Sequence, residues 1–224
     1  MVDTEGDPGA GPTRYRARSA RGQGETLRRD LLESALELLS ETADPDAVSI
    51  RAVARRTGVS ATACYRHFVD RDDLVYCAVG LAFADFTQRL RSAVAATDDP
   101  FAALEAAGDA YHRYALEQPG RYRVLFSNPM DCPEETSATE EEAQMGIIAF
   151  FVLVELVQGV IDAGATAAAD SEGRVDAGYL AFQLWSWIHG IVDLNITHTY
   201  DHWPATEQTI HDALRLLGLT RAEP

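Results

Sequence analysis

Apolar residues recur along this chain at the three- and four-residue spacing of helices, and no stretch keeps the two-residue alternation of a half-buried strand. Over about residues 25–41, Leu27, Leu31, Ala35, Leu38 and Leu39 share one face while charged side chains fill the other, which predicts a first amphipathic helix. A loop over 42–48 follows, containing Ala43-Asp44-Pro45-Asp46. Ser49 then stands as an N-cap before Ile50, Val53 and Ala54, and Gly58 ends this second helix (about 49–57) where a positive φ is needed. Ser60 caps a third helix, predicted over about 60–67, with Ala63, Cys64 and Phe68 inward and Ser60, Thr62, Tyr65, Arg66 and His67 outward.

Two short helices joined by Thr57-Gly58-Val59-Ser60 must cross at a large angle, with Val53 and Val59 between them and the second helix pushed outward. That geometry can insert a helix into a DNA major groove. Asp70 caps a long fourth helix with Asp73 at its third position, predicted over about 70–97. Further helices follow over 100–117, around Tyr122–Phe126, from the acidic run Glu140-Glu141-Glu142 to about 163, over 173–198 and over 205–218. The expected fold is all-α with about nine helices: an arm at 1–24, a three-helix helix-turn-helix domain at 25–72, and a larger helical bundle at 73–224. The helix over Ile147–Leu156 is apolar nearly all round, which predicts burial.

Composition narrows the function classes. The longest uninterrupted apolar run, Met145–Val154, falls short of the roughly eighteen residues that span a bilayer, so no membrane partner is expected. The first thirteen residues are acidic and rich in Gly and Pro, unlike a signal peptide, and the expected location is the cytoplasm. Cys64, Cys77 and Cys132 form no metal-ligand spacing and are an odd number for a disulfide framework. The net charge of −16 is unevenly spread: residues 14–71 carry eleven Arg against eight acids, and residues 72–224 eight Arg against twenty-four. The chain contains no Lys, so every basic residue is an Arg, the side chain best suited to bidentate contact with phosphate and guanine. Such asymmetry points to a nucleic-acid-binding end, with Arg14, Arg16, Arg18 and Arg21 of the arm either reaching DNA or acting as a solubilising tail.

Residues 49–68, Ser-Ile-Arg-Ala-Val-Ala-Arg-Arg-Thr-Gly-Val-Ser-Ala-Thr-Ala-Cys-Tyr-Arg-His-Phe, resemble the N-terminal domain of the tetracycline-repressor (TetR) family. The resemblance covers roughly residues 24–75 and is carried by Gly58-Val59-Ser60, Tyr65-Arg66-His67-Phe68 and Asp70-Arg71-Asp72-Asp73-Leu74. It implies phosphate contacts by Tyr65, His67 and Arg71, base reading by Arg66, and shared contacts by Ser60 and Thr62, with Ser49 and Arg51 at the start of helix two. Ala63 and Cys64 depart from the family's usual Ser or Thr followed by Leu, so the base-reading pattern is this chain's own. Trp185 and His189-Gly190 resemble a Trp-x-x-x-His-Gly regulatory domain of the same family. The resemblance further implies a homodimer built from the segments near 173–198 and 205–218, set on a pseudo-palindromic operator, and repression as the commoner outcome.

Such a regulator needs an input. The expectation is a small apolar effector in a cavity among helices four to eight, lined by some of Phe83, Phe86, Tyr111, Tyr114, Phe126, Phe150, Phe151, Trp185, Trp187 and His189. No cofactor is expected. Two rival readings stand beside this one. His198, His202 and His211 with Asp193 and Asp201 could serve a metal-dependent hydrolase, although no His-Glu-x-x-His, Gly-rich phosphate loop or Gly-x-Ser-x-Gly motif accompanies them. Alternatively, the helix-turn-helix could serve protein interaction alone.

Overall fold

The computed structural model describes residues 23–42, 45–127, 132–167, 174–198 and 205–221. Nine α-helices are present among them: α1 (Gln23–Thr42), α2 (Ile50–Thr57), α3 (Ala61–Cys64), α4 (Arg71–Val94), α5 (Pro100–Glu117), α6 (Pro119–Ser127), α7 (Glu140–Asp162), α8 (Ala177–Thr197) and α9 (Thr206–Leu216). A 3₁₀ turn, Pro45–Ala47, precedes α2, and no strand occurs among the described residues beyond an isolated bridge between Ala165 and Arg221. The all-α expectation holds. Of the predicted arm, only residues 23 and 24 are described, and they already belong to α1.

The helices begin where short polar side chains can accept the first free amides. Ser49, Ser60, Asp70, Asp99 and Asp176 all do so, and Thr139 forms a reciprocal capping box with Glu142. The third helix departs most from its predicted span. It stops at Cys64, and residues 65–67 continue as tighter turns, with Arg66 N–H donating to Ala63 and His67 N–H to Cys64. Cys64 and Phe68 remain on one buried face across these turns, and Phe68 N–H still donates to the Cys64 carbonyl at 3.1 Å.

Helix α4 is the common element of both parts of the chain. It buries Leu74, Cys77, Ala78, Ala82, Phe86 and Leu90 and packs against α1, α5 and α7. Each such apolar side chain contributes roughly 1.5–3 kcal/mol when fully buried. Gly80 lets α7 come close, since a Cβ there would lie 3.1 Å from the Glu142 carbonyl oxygen.

The start of α4 is fixed by a buried carboxylate. Asp73 is fully buried and accepts hydrogen bonds from Val69 N–H (2.8 Å), Thr136 Oγ1 (2.7 Å), Ser137 N–H (2.9 Å) and Ser137 Oγ (2.7 Å). Next to it, Arg28 of α1 makes a two-pronged pair with Glu142 (2.6 and 3.0 Å) and lies over the Phe68 ring at 5.4 Å. Thus α1, the start of α4 and the N-terminus of α7 are joined. A second attachment comes from α6, where Arg121 pairs with Glu33 of α1 at 3.0 Å. Gly120 packs so closely on α1 that a Cβ would lie 2.5 Å from the Ser40 carbonyl oxygen.

Helix α7 corrects two expectations. Its outer residues Ile147 and Phe151 are 61% and 55% exposed, so the helix is not buried all round. The segment Glu142–Asp162 also has a mean hydropathy of 2.0, enough by length and composition to cross a membrane, because apolar residues resume after Glu155 with Leu156, Val157, Val160 and Ile161. Only 22% of that apolar window is buried, while Glu142 at its start is held in the ion pair with Arg28. The unpartnered apolar surface continues onto α8 at Tyr179, Phe182, Trp187 and Leu194.

Burial pushes the Asp73 carboxyl upward, but hydrogen bonds from Ser137, Thr136 and Val69 outweigh it and hold the group below its ordinary value of 3.8. Asp73→Asn replaces an acceptor with an amide that faces donors, and it is expected to lower unfolding free energy in urea by about 2–3 kcal/mol. The wild-type advantage should be full above pH 3.8 and disappear as the pH falls through the lower folded-state value.

Candidate nucleic-acid interface and ligand cavity

The turn between α2 and α3 is shaped by Gly58, at φ 75° and ψ 30°. Gly58 N–H donates to Arg55 and Val59 N–H to Ala54, which satisfies the last carbonyls of α2 and redirects the chain. Val53 is fully buried beneath this turn, and Val59 packs against the core. The segment after the turn therefore presents a sharp division. Cys64 and Phe68 are buried, whereas Tyr65 is 59% exposed and Thr62 and Arg66 are exposed.

The predicted DNA-contacting residues fall into two groups. Arg51, Thr62, Tyr65 and Arg66 stand exposed on the outer side of the helix-turn-helix. Ser49 and Ser60 are exposed too, but their oxygens already accept the amides of Ala52 (3.2 Å) and Ala63 (3.3 Å), leaving each hydroxyl proton to donate. His67 is partly buried, and burial first, then the charges of Arg28 and Arg66, push it below its ordinary value of 6.5. It is a neutral donor at pH 7. Arg71 has an intramolecular role: its Nε donates to the Val48 carbonyl at 3.0 Å, and its other nitrogens pair with Asp72 and Asp46. It thereby ties the segment leading into α2 to the start of α4. Arg56 is likewise held by Glu37 and Glu41 of α1, while Arg55 is exposed.

The second feature is a cavity of about 360 Å³ enclosed by α4, α5, α6, α7 and α8. Six of the aromatic residues expected there do line it: Phe83, Phe86, Tyr111, Phe126, Phe150 and Trp185. Phe86 meets Tyr111 edge to face at 5.3 Å, and Tyr111 stacks on Phe126 at 6.1 Å. Four expectations are corrected or refined. Tyr114 is buried behind Phe86 and does not line the cavity, while Phe151 and Trp187 point outward from α7 and α8. His189 lies just behind the wall, where its Nδ1 meets the hydroxyls of Tyr122 (2.7 Å) and Tyr111 (3.1 Å).

Sequence reasoning missed Tyr122 and the aliphatic half of the wall, including Leu104, Leu153 and Ile188. Aliphatic side chains facing a cavity carry the same helical spacing as those facing another side chain, so no local signal distinguishes them. It also missed Arg28, whose partner Glu142 lies 114 positions away.

The histidines named for metal binding do not come together among the described residues. His198 is exposed and bonded to Thr197, and His211 faces Glu105 at 3.7 Å. Asp201 and His202 lie outside the described residues. No group of three His, Cys, Asp or Glu among those described could hold a metal ion.

Residues 31–76 match the family described as bacterial regulatory proteins, tetR family, and residues 104–217 match the tetracyclin repressor-like C-terminal domain. An uncharacterised HTH-type transcriptional regulator of Mycobacterium tuberculosis is 30% identical over 176 residues, spanning 78% of this chain and 72% of that protein. A solved structure from Rhodococcus sp. RHA1, described as a protein with unknown function, superimposes with a TM-score of 0.69 at 25% identity, over 92% of this chain and 97% of that one. Another from Shewanella sp. PV-4, described as a tetR family transcription regulator, gives a TM-score of 0.63 at 16% identity, over 85% and 95% of the two chains.

The turn itself can be tested apart from any ligand. An added Cβ at Gly58 would meet nothing within 4 Å, so Gly58→Ala exposes only the backbone cost of a left-handed conformation. Chemical denaturation should show a loss of about 1 kcal/mol.

Proposed function

Because the chain belongs to the TetR family of helix-turn-helix transcriptional regulators, we propose that it represses transcription as a homodimer on a pseudo-palindromic operator and is released by a small apolar molecule. The observation that carries this reading is the division at 62–68, where Thr62, Tyr65 and Arg66 face out while Cys64 and Phe68 anchor the same short segment in the core. Arg66 reads base edges, Tyr65 and His67 donate to phosphates, and Arg51, Ser49, Ser60 and Thr62 add contacts at the two helix starts. Arg71 supports them by holding the segment before α2 against α4, and its phosphate contact would require exchange of its present partners. The protein acts in the cytoplasm, where its operator lies.

The dimer uses α7 and α8. The family resemblance pointed to the last two helices, but Ile210, Ala213 and Leu214 of α9 are buried within the chain. Ile147 and Phe151 of α7 and Tyr179, Phe182 and Leu194 of α8 supply the exposed apolar surface instead. Gly190, with open space around it, lies on the same helix and allows close approach of a second backbone. Pairing this surface with its two-fold copy makes a four-helix bundle and covers the apolar side of α7.

Release follows from helices that serve two regions. Helices α4 and α7 line the cavity through Phe83, Phe86, Gly146 and Phe150, and their starts are tied to neighbouring segments, Asp73 to Thr136 before α7 and Glu142 to Arg28 of α1. A ligand that spreads α4 from α7 therefore moves the base of the helix-turn-helix and lowers operator affinity by binding the two states unequally.

After operators are selected from a random DNA pool, Arg66→Ala is expected to cost about 1–3 kcal/mol and relax preference at one position of each half-site. Tyr65→Phe should weaken all operator variants alike. Unchanged affinity and preference in Arg66→Ala would refute the base-reading assignment. Sedimentation should find the wild type dimeric and Phe151→Glu/Phe182→Glu monomeric with its helical content retained; a dimeric double variant would reject this interface.

A further inference from the structure

The cavity wall restricts the charge of what can enter. Among the described residues no Asp, Glu, Arg or His lines it, so an ionised ligand group would lose hydration without gaining a counter-charge from this wall. Its polar side chains are the Trp185 indole N–H, which bonds to Tyr111, and the Tyr111 hydroxyl, which is backed by Tyr122 and His189. Burial above all, with a contribution from Asp193, raises both tyrosines well above their ordinary value, so their hydroxyls remain protonated. Burial lowers His189, despite the opposing charge of Asp193, and keeps the imidazole neutral at pH 7.

Counting protons within this cluster singles out one hydroxyl. A neutral His189 with its proton on Nε2 offers one lone pair at Nδ1, yet both tyrosine oxygens approach that atom. Tyr122, at 2.7 Å, takes it. Tyr111 is left with contacts of 3.1 Å to the same nitrogen and 3.3 Å to the Tyr122 oxygen, both long for a hydroxyl donor. In the other tautomer Nδ1–H donates to Tyr122, Tyr122 turns its proton toward Tyr111, and the Tyr111 proton again lacks a close acceptor. Tyr111 is also the member of the three that lines the cavity.

Building on the ligand-release reading, we propose that the cavity selects an uncharged, largely apolar molecule bearing a hydrogen-bond acceptor, and that the Tyr111 hydroxyl donates to this acceptor. Tyr122 and His189 are positioning residues that hold Tyr111 at the wall. The volume of about 360 Å³ lies at the small end of the range for drug-sized ligands and suits a bicyclic aromatic or a medium-length alkyl ketone or ester.

The test uses the full-length protein and three fluorescent probes of similar size. They are 6-propionyl-2-(dimethylamino)naphthalene, its propyl analogue lacking only the carbonyl oxygen, and the anionic 6-(dimethylamino)-2-naphthoate. Wild type should bind the two uncharged probes, and the naphthoate at least tenfold more weakly than the ketone. Tyr111→Phe, which keeps the buried ring, should weaken the ketone about five- to tenfold, the worth of one neutral hydrogen bond, and shift its emission to the blue. Its affinity for the propyl analogue should change less than twofold. Equal losses for both uncharged probes, no loss for either, or naphthoate binding as tight as the ketone would overturn the inference while leaving the cavity a ligand site. Failure of wild type to bind either uncharged probe would instead overturn the ligand reading and this inference with it.

Discussion

A buried negative charge at the first turn of α4 holds the helix-turn-helix and the larger helical part in one frame. Among the described residues Asp73 has no counter-ion in direct contact and is instead surrounded by donors from Val69, Thr136 and Ser137. Hydrogen bonding of this density is what permits a carboxylate to stay ionised away from water. Because those donors come from both the end of the helix-turn-helix and the strap before α7, the group cannot remain satisfied if either part shifts alone. Arg28 reinforces the same junction from α1, by pairing with Glu142 and covering Phe68.

The cavity lies farther along the same two helices. Phe83 and Phe86 descend from the anchored start of α4, and Gly146 and Phe150 from the anchored start of α7. Small residues bring these helices close: Gly80 faces the Glu142 carbonyl, and Gly146 faces the Phe83 ring. Such close contacts transmit displacement because packed side chains have little free volume in which to absorb it. The polar cluster of Tyr111, Tyr122 and His189 stands on α5, α6 and α8, so the opposite wall is braced separately.

Local order in the sequence was sufficient to identify most helices and the helix-turn-helix. Ser49, Gly58, Ser60 and Asp70 each impose a boundary within a few residues, and the structure uses every one of them as a cap. Inward and outward residues at 62–68 were readable for the same reason. The shortened α3 was not, since the Ser60 cap and the four-residue spacing of Cys64 and Phe68 fit a longer helix equally well. Helix α7 was misread because an apolar circumference signals burial without saying whether the cover comes from the same chain. The cavity was legible through its aromatic side chains but not its aliphatic ones, and Trp187 and Phe151 show that an aromatic at helical spacing can face the opposite way. Arg28 and Glu142 lie too far apart in the chain for any local pattern to pair them.

The engagement of Arg56 and Arg71 within the protein has a consequence for how DNA sequences are told apart. Each is already paired with nearby carboxylates, and residues 72–224 are strongly acidic. Within residues 45–71 this leaves Arg51, Arg55 and Arg66 to displace counterions from an arbitrary duplex, which is the main source of sequence-independent affinity. Fewer such charges on the helix-turn-helix leave more of the discrimination between DNA sequences to contacts with base edges.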